Sequence, residues 1–173
     1  PYIEDISKQV SESCSMSVLD GFDIVYVARV PAKRIMSVAL SVGTRLPAHN
    51  TSMGRVLLAS MDEEELDNYF STTERAPYTQ HTVTDEKALR DILDQVRADG
   101  YAAVDQELEL GVRSVAVPVR ARSENTLAAL NVSGHAARVS MRDMRRNFLP
   151  PLQAAASAIT AALSGDMPQT ISG

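Results

Sequence analysis

The residues best suited to chemistry in this chain sit where a helix begins. Asn50-Thr51-Ser52-Met53-Gly54 follows Leu46-Pro47-Ala48-His49 and opens an apolar run that reads as a helix through Met61. Pro47 disfavours helix immediately before it, and Asn50 or Thr51 is the expected N-cap. A helix start presents free N–H donors and the positive end of the dipole, which together can hold an anion. Gly54, in the first turn, has no side chain, so a ligand or another stretch of backbone can come close. The plain alternative is a capped helix that binds nothing.

A second group lies on strands. Strand side chains alternate faces, so Leu127, Ala129, Asn131 and Ser133 share one side, and Ala128, Leu130 and Val132 the other. Two polar groups on an otherwise apolar face need partners, water or a ligand. Ser114, on the neighbouring strand, adds a hydroxyl to the same side. Asp105, just after a short strand, is either a solvated turn residue or a carboxylate that accepts hydrogen bonds from a ligand.

Other chemistries find little support. His49, His81 and His135 stand apart from any His, Cys or carboxylate at zinc-ligand spacing, and no G-x-S-x-G elbow occurs. Glycines are too sparse for a phosphate-cradling loop. Cys14 is the sole cysteine, so no intramolecular disulfide can form, and it reads as a packed thiol. Neither a metal nor a cofactor is expected. The rival readings are a small hydrolase or isomerase using His49 and Asp105, and a purely structural dimerisation module. Against the enzyme, His49 has no orienting partner in sequence.

The elements that must position these groups follow from periodicity. Ile3, Ile6 and Val10 mark an amphipathic helix; Cys14 to Leu19 and Ile24 to Val30 flank an Asp-Gly turn and form a hairpin. Arg34 to Val42 reads as a third strand, and Gly43 to Asn50 as a loop. Asp62 to Glu65 has capping-box spacing and opens a short helix, followed by a polar surface loop over Ser71 to Val83. Thr84 is the expected cap of a helix bearing Leu89, Ile92, Leu93 and Val96, stopped by Gly100. A short strand at Tyr101 to Val104 precedes a hairpin of Arg113 to Ala121 and Thr126 to Ser133. Ser140 opens the last helical region, which Pro150 and Pro151 break or kink, and they can start a new helix at its first turn. Leu152, Ala155, Ala156, Ile159 and Leu163 then form a stripe suited to another helix. Hairpins between terminal helices imply an α+β domain with a largely antiparallel sheet.

Composition agrees with a single ordinary domain. The chain has 173 residues and a net charge of -5, so it cannot neutralise many phosphates and is a poor nucleic-acid binder by itself. No apolar run approaches the ~20 residues of a membrane span, and no signal peptide opens the chain, so a cytoplasmic location and no membrane partner are expected. Pro1 in place of Met implies an excised or processed fragment.

Three ordered blocks resemble the effector-binding domain of IclR-type bacterial transcriptional regulators: Val42 to Ala59, Gly100 to Val119, and Ala128 to Gly134. The similarity spans Val18 to Leu163. It implies a GAF-like fold, a curved antiparallel sheet of about six strands flanked by helices, with a ligand pocket on the concave face. It further implies that a small carboxylate is held by the amides of Ser52 and Met53 beside Gly54, with polar contacts from Asp105, Ser114, Asn131 and Ser133. Some relatives carry Gly or Ala where this chain has Ser52 and Met53, and Cys or Ser where it has Ser114 and Asn131. The wording of Thr51 to Ala59 is similar to the branch controlling aromatic-compound breakdown, which implies ligands such as protocatechuate or β-ketoadipate. The family places a winged helix-turn-helix before this domain. Nothing here resembles one, so DNA contact is expected only through that absent domain, in a homodimer or homotetramer.

Overall fold

A computed structural model of the chain describes residues 1–32 and 40–165. Among the described residues six strands form one antiparallel sheet: β1 (Ser13–Asp20), β2 (Asp23–Val30), β3 (Arg45–Pro47), β4 (Ala102–Asp105), β5 (Val112–Arg120) and β6 (Thr126–His135). Their order across the sheet is β3-β2-β1-β6-β5-β4, and the sheet curls into a half-barrel. The β1–β2 and β5–β6 hairpins bring the two halves of the chain together through the central β1–β6 pairing. Gly21 makes the first turn with a left-handed φ of 62°, where a side chain would be strained.

The edge beside β2 differs from the sequence expectation. Of the strand expected over Arg34 to Val42, residues 34–39 lie outside the described residues, and 40–42 form no strand. The segment that pairs with β2 is Arg45–Pro47, inside the stretch expected to be loop. Pro47 ends this edge strand, where a missing N–H costs no ladder bond.

Helices α1 (Tyr2–Val10), α2 (Ser52–Ala59), α3 (Glu63–Thr72), α4 (Glu86–Asp99) and α6 (Leu149–Leu163) cover the two faces. The capping box at Asp62 and Glu65 forms as expected. Asp85, and not Thr84, caps α4 by accepting from the Ala88 amide, since a carboxylate is an excellent N-cap acceptor. The short turn α5 (Met141–Asp143) and a π-helical turn at Met144–Phe148 run directly into α6. Pro150 and Pro151 stand in the first turn of α6, the helix start that the sequence allows them, where a missing N–H forfeits no helical bond.

Strand alternation splits the core in two. Ala116 and Ala129 face α2, α3 and α4, packing with Met53, Leu57, Leu66, Leu89 and Leu93. Val115, Val117, Leu130 and Val132 face α1 and α6, packing with Ile6, Phe148, Leu152 and Ile159. Each such side chain contributes about 1.5–3 kcal/mol on burial. The small residues on the first face leave room under α2, and this is where the site lies.

Candidate functional site

Between the sheet and the start of α2 lies a cavity of about 630 Å³, the size of a pocket for a small organic ligand. Its floor is built from two rows of directly opposed residues. One row is Arg29, Ser15, Asn131 and Ala116 on β2, β1, β6 and β5; the next is Ser13, Ser133 and Ser114 on β1, β6 and β5. Opposed antiparallel residues share a face, so this alternation makes one wall polar in an otherwise apolar layer. The Ser13 oxygen accepts from the Ala32 amide at 3.1 Å and that of Ser133 from Asn131 Nδ2 at 3.2 Å. Both hydroxyl protons are thereby left to donate elsewhere.

The opposite wall is the start of α2. Thr51 is its N-cap, accepting from the Gly54 amide at 3.1 Å while its hydroxyl donates to the Pro47 carbonyl at 2.9 Å. The amides of Ser52 and Met53, earlier in the turn, have no intrahelical acceptor. Asn50, Thr51, Ser52 and Met53 all border the cavity. Four buried side-chain atoms here lack a partner among the described residues: Asn50 Oδ1 and Nδ2, Ser52 Oγ and Asn131 Oδ1. Buried polar atoms are seldom left so, and these cluster around one hollow, where a polar ligand could satisfy them.

The roof is the loop 106–111, which brings Leu108 and Glu109 to the cavity. It is locked to α2 by a buried pair. Arg55 Nη1 and Nη2 donate to Glu107 Oε2 and Oε1 at 2.8 and 2.6 Å, and Arg55 Nε donates to the His49 carbonyl at 2.9 Å. The Val83 amide donates to Glu107 Oε1 at 2.9 Å, so the fork is well satisfied. Gln106 turns the chain inward from a left-handed φ of 59°. The stretch Ser71 to Val83 is thus anchored to the roof and is more than a surface loop; Thr79 and Thr82 hydroxyls donate to the Gln106 and Glu107 carbonyls.

Charge within the cavity is uneven. Glu12 and Arg138 pair at 3.2 Å at one end, whereas Arg29 borders the cavity with no ion pair among the described residues. Burial raises the Tyr26 phenol above its ordinary value, and the nearby Arg29 charge works against that rise.

Of the residues singled out in sequence, Ser52, Met53, Ser114, Asn131 and Ser133 border the cavity. Gly54 and Asp105 do not. A Cβ on Gly54 would collide with the backbone of Ala48, so this glycine admits neighbouring backbone and no ligand. Asp105 is opposed to Arg113 and points to the other face of the sheet, where Arg113 Nε donates to it at 2.7 Å. That bond, helped by Gln106 and opposed by partial burial, holds its carboxyl below the ordinary range. The turn after the strand does not reverse the alternation that Val104, facing the cavity, imposes on Asp105. His49 is also engaged elsewhere: its Nε2 meets the Ala76 carbonyl at 3.1 Å, and burial lowers its pKa. His49 and Asp105 therefore form no acid–base pair. Burial, with Glu12 nearby, pushes the Cys14 thiol up to about 12, far from a reactive thiolate.

Arg29, Asn50 and the Arg55–Glu107 fork are not marked as ligand contacts by the sequence. Asn50 lies inside the helix start, where its type suggests only a cap. The fork joins residues 52 apart and leaves no local signal.

A half-barrel sheet with a polar-lined hollow beneath one helix defines a small-molecule sensing domain. Residues 1–161 match the family described as Bacterial transcriptional regulator IclR C-terminal, and the chain belongs to it. The Pca regulon regulatory protein of Pseudomonas putida is 46% identical over 166 residues, 95% of this chain and 57% of that protein. A transcriptional regulator of Rhodococcus sp. RHA1 superposes with a TM-score of 0.93 at 48% identity, covering 95% of this chain and 66% of that one. The inducer-binding domain of Acinetobacter PobR, a double mutant in complex with 3-hydroxybenzoic acid, gives a TM-score of 0.87 at 34% identity, covering 92% and 93%. The chain spans a little over half the length of the Pseudomonas relative.

Proposed function

We propose that this chain senses a small carboxylate, an aromatic acid or a dicarboxylate from aromatic-compound breakdown, on behalf of a transcriptional regulator. The carrying observation is that first-turn amides of α2 and the orphaned polar atoms of Asn50, Ser52 and Asn131 surround one cavity. The Ser52 and Met53 amides hold the carboxylate, Arg29 adds charge, and Ser114 and Ser133 donate from the floor. Gly54 seats the helix against Ala48 and so positions the amides, and Asp105 braces Arg113 outside the cavity. The hydroxybenzoate bound by the PobR domain supports a carboxylate ligand here.

The domain works by population shift and not by catalysis. Ligand favours one arrangement of a cytoplasmic homodimer or homotetramer, only to the extent that its affinities for the two states differ. DNA contact belongs to a separate winged helix-turn-helix. The test is thermal unfolding with protocatechuate, 4-hydroxybenzoate and β-ketoadipate. A ligand at a hundredfold excess over its Kd adds about 2.7 kcal/mol, which for a chain of this size raises the midpoint by about 5–10 °C. No rise with any of the three, or turnover of one of them, overturns the reading.

A further inference from the structure

Asn50 stands out among the residues around the cavity because it is 0% exposed and neither its Oδ1 nor its Nδ2 has a partner among the described residues. The adjacent helix start does not explain this, since Thr51 supplies the cap and its hydroxyl is already bonded on both sides. An unsatisfied amide at such depth is uncommon, and it offers a donor nitrogen and an acceptor oxygen whichever way it is turned. A carboxylate has no proton to give, so it can meet Nδ2 and leaves Oδ1 unmet. A hydroxyl meets both, accepting from Nδ2 and donating to Oδ1. Asn131 presents a second orphaned amide oxygen on the facing wall, while its Nδ2 donates to Ser133.

We infer that Asn50 is a specificity-determining residue that reads a hydroxyl on the ligand, so that the preferred effector is a hydroxylated carboxylic acid. This rests on the reading of the cavity as a carboxylate pocket. A site built to bond a hydroxyl rejects the analogue that lacks it, because its own polar atoms are then left unpaired. Asn50 thus acts by exclusion as much as by attraction.

The test is isothermal titration of the chain with protocatechuate, 4-hydroxybenzoate and benzoate, against the Asn50→Leu and Asn50→Ser variants. In the unaltered chain the hydroxylated acids bind at least about tenfold tighter than benzoate. Asn50→Leu removes both orphaned atoms at similar volume. It brings the three acids within about threefold of one another, with an unfolding midpoint no lower than that of the unaltered chain. Asn50→Ser, which keeps a hydroxyl, retains part of the preference. Equal binding of benzoate and the hydroxylated acids by the unaltered chain overturns the role of Asn50 and leaves the carboxylate pocket standing. An Asn50→Leu variant that folds and keeps the full preference does the same. Failure of all three acids to bind overturns the role of Asn50, and failure of β-ketoadipate beside them overturns the carboxylate pocket as well.

Discussion

At the scale of single residues, the cavity separates side chains that are already satisfied from those that are not. Ser13, Ser133 and Thr51 each complete an internal bond, whereas Arg29 carries a charge with no ion pair among the described residues. Its removal should cost the fold little and the ligand much. Arg29→Gln is expected to weaken carboxylate binding about tenfold to a hundredfold, as for one lost charge-assisted bond. Titration calorimetry beside an unchanged unfolding midpoint checks this. His49 makes the opposite kind of prediction. Burial lowers its pKa, so as pH falls through about 6.5 the unfolded chain takes up a proton that folded His49 resists. Stability is therefore full above that range and declines below it until the folded value is passed. Urea unfolding between pH 7 and 5 should show the decline. His49→Gln, which keeps a donor for the Ala76 carbonyl, should flatten it.

At the scale of elements, the cavity is a gap held open between pieces joined by a few strong contacts. Gly54 lets α2 lie against Ala48, and the Arg55–Glu107 fork ties the same helix to the loop 106–111. The pair is nearly enclosed, so removing one partner strands a buried charge. Glu107→Gln or Arg55→Met is expected to cost about 3–5 kcal/mol in chemical unfolding, and the apolar double variant Arg55→Met with Glu107→Leu should recover most of it. If the double variant folds but binds ligand poorly, the fork positions the roof; if binding survives, it serves stability alone. The elements themselves were largely legible in sequence. Caps, hairpin turns and helical stripes are local codes, and α1, α3, α4 and both hairpins lie near where those codes put them. The exceptions have local causes of another kind. Arg45–Pro47, in a stretch that reads as loop, is a strand because it pairs with β2, a partner its own residues do not name. The π-turn ahead of the last helix is announced by no residue pattern.

At the scale of the molecule, the sheet divides a face carrying the cavity from a face carrying the terminal helices. A signal must cross it or go round its edge. Glu12 and Ser13 border the cavity and immediately follow α1, and the Ser7 hydroxyl of that helix donates to the Glu12 carbonyl at 2.8 Å. α1 packs in turn with α6. Ligand binding is therefore expected to slow amide hydrogen exchange in the loop 106–111, at the start of α2 and in α1, with little change in α3 and α4. Exchange mass spectrometry with and without protocatechuate checks this. Protection confined to the cavity would remove α1 as the relay.

The sequence by itself determined the class of fold, the acidic character that disfavours nucleic acid, the capped helix start, and the two polar faces on β5 and β6. All of these depend on residue type and on spacing over a few positions, where backbone geometry leaves few choices. Tertiary structure alone decided that β1 lies beside β6, which sets Ser13 and Ser15 next to Asn131 and Ser133. It also decided that Arg55 meets Glu107, that Asp105 turns away, and that Asn50 is buried without a partner among the described residues. Those outcomes follow from which distant segments share an edge or a cavity, and a residue's neighbours across such a gap are not written in the residues beside it.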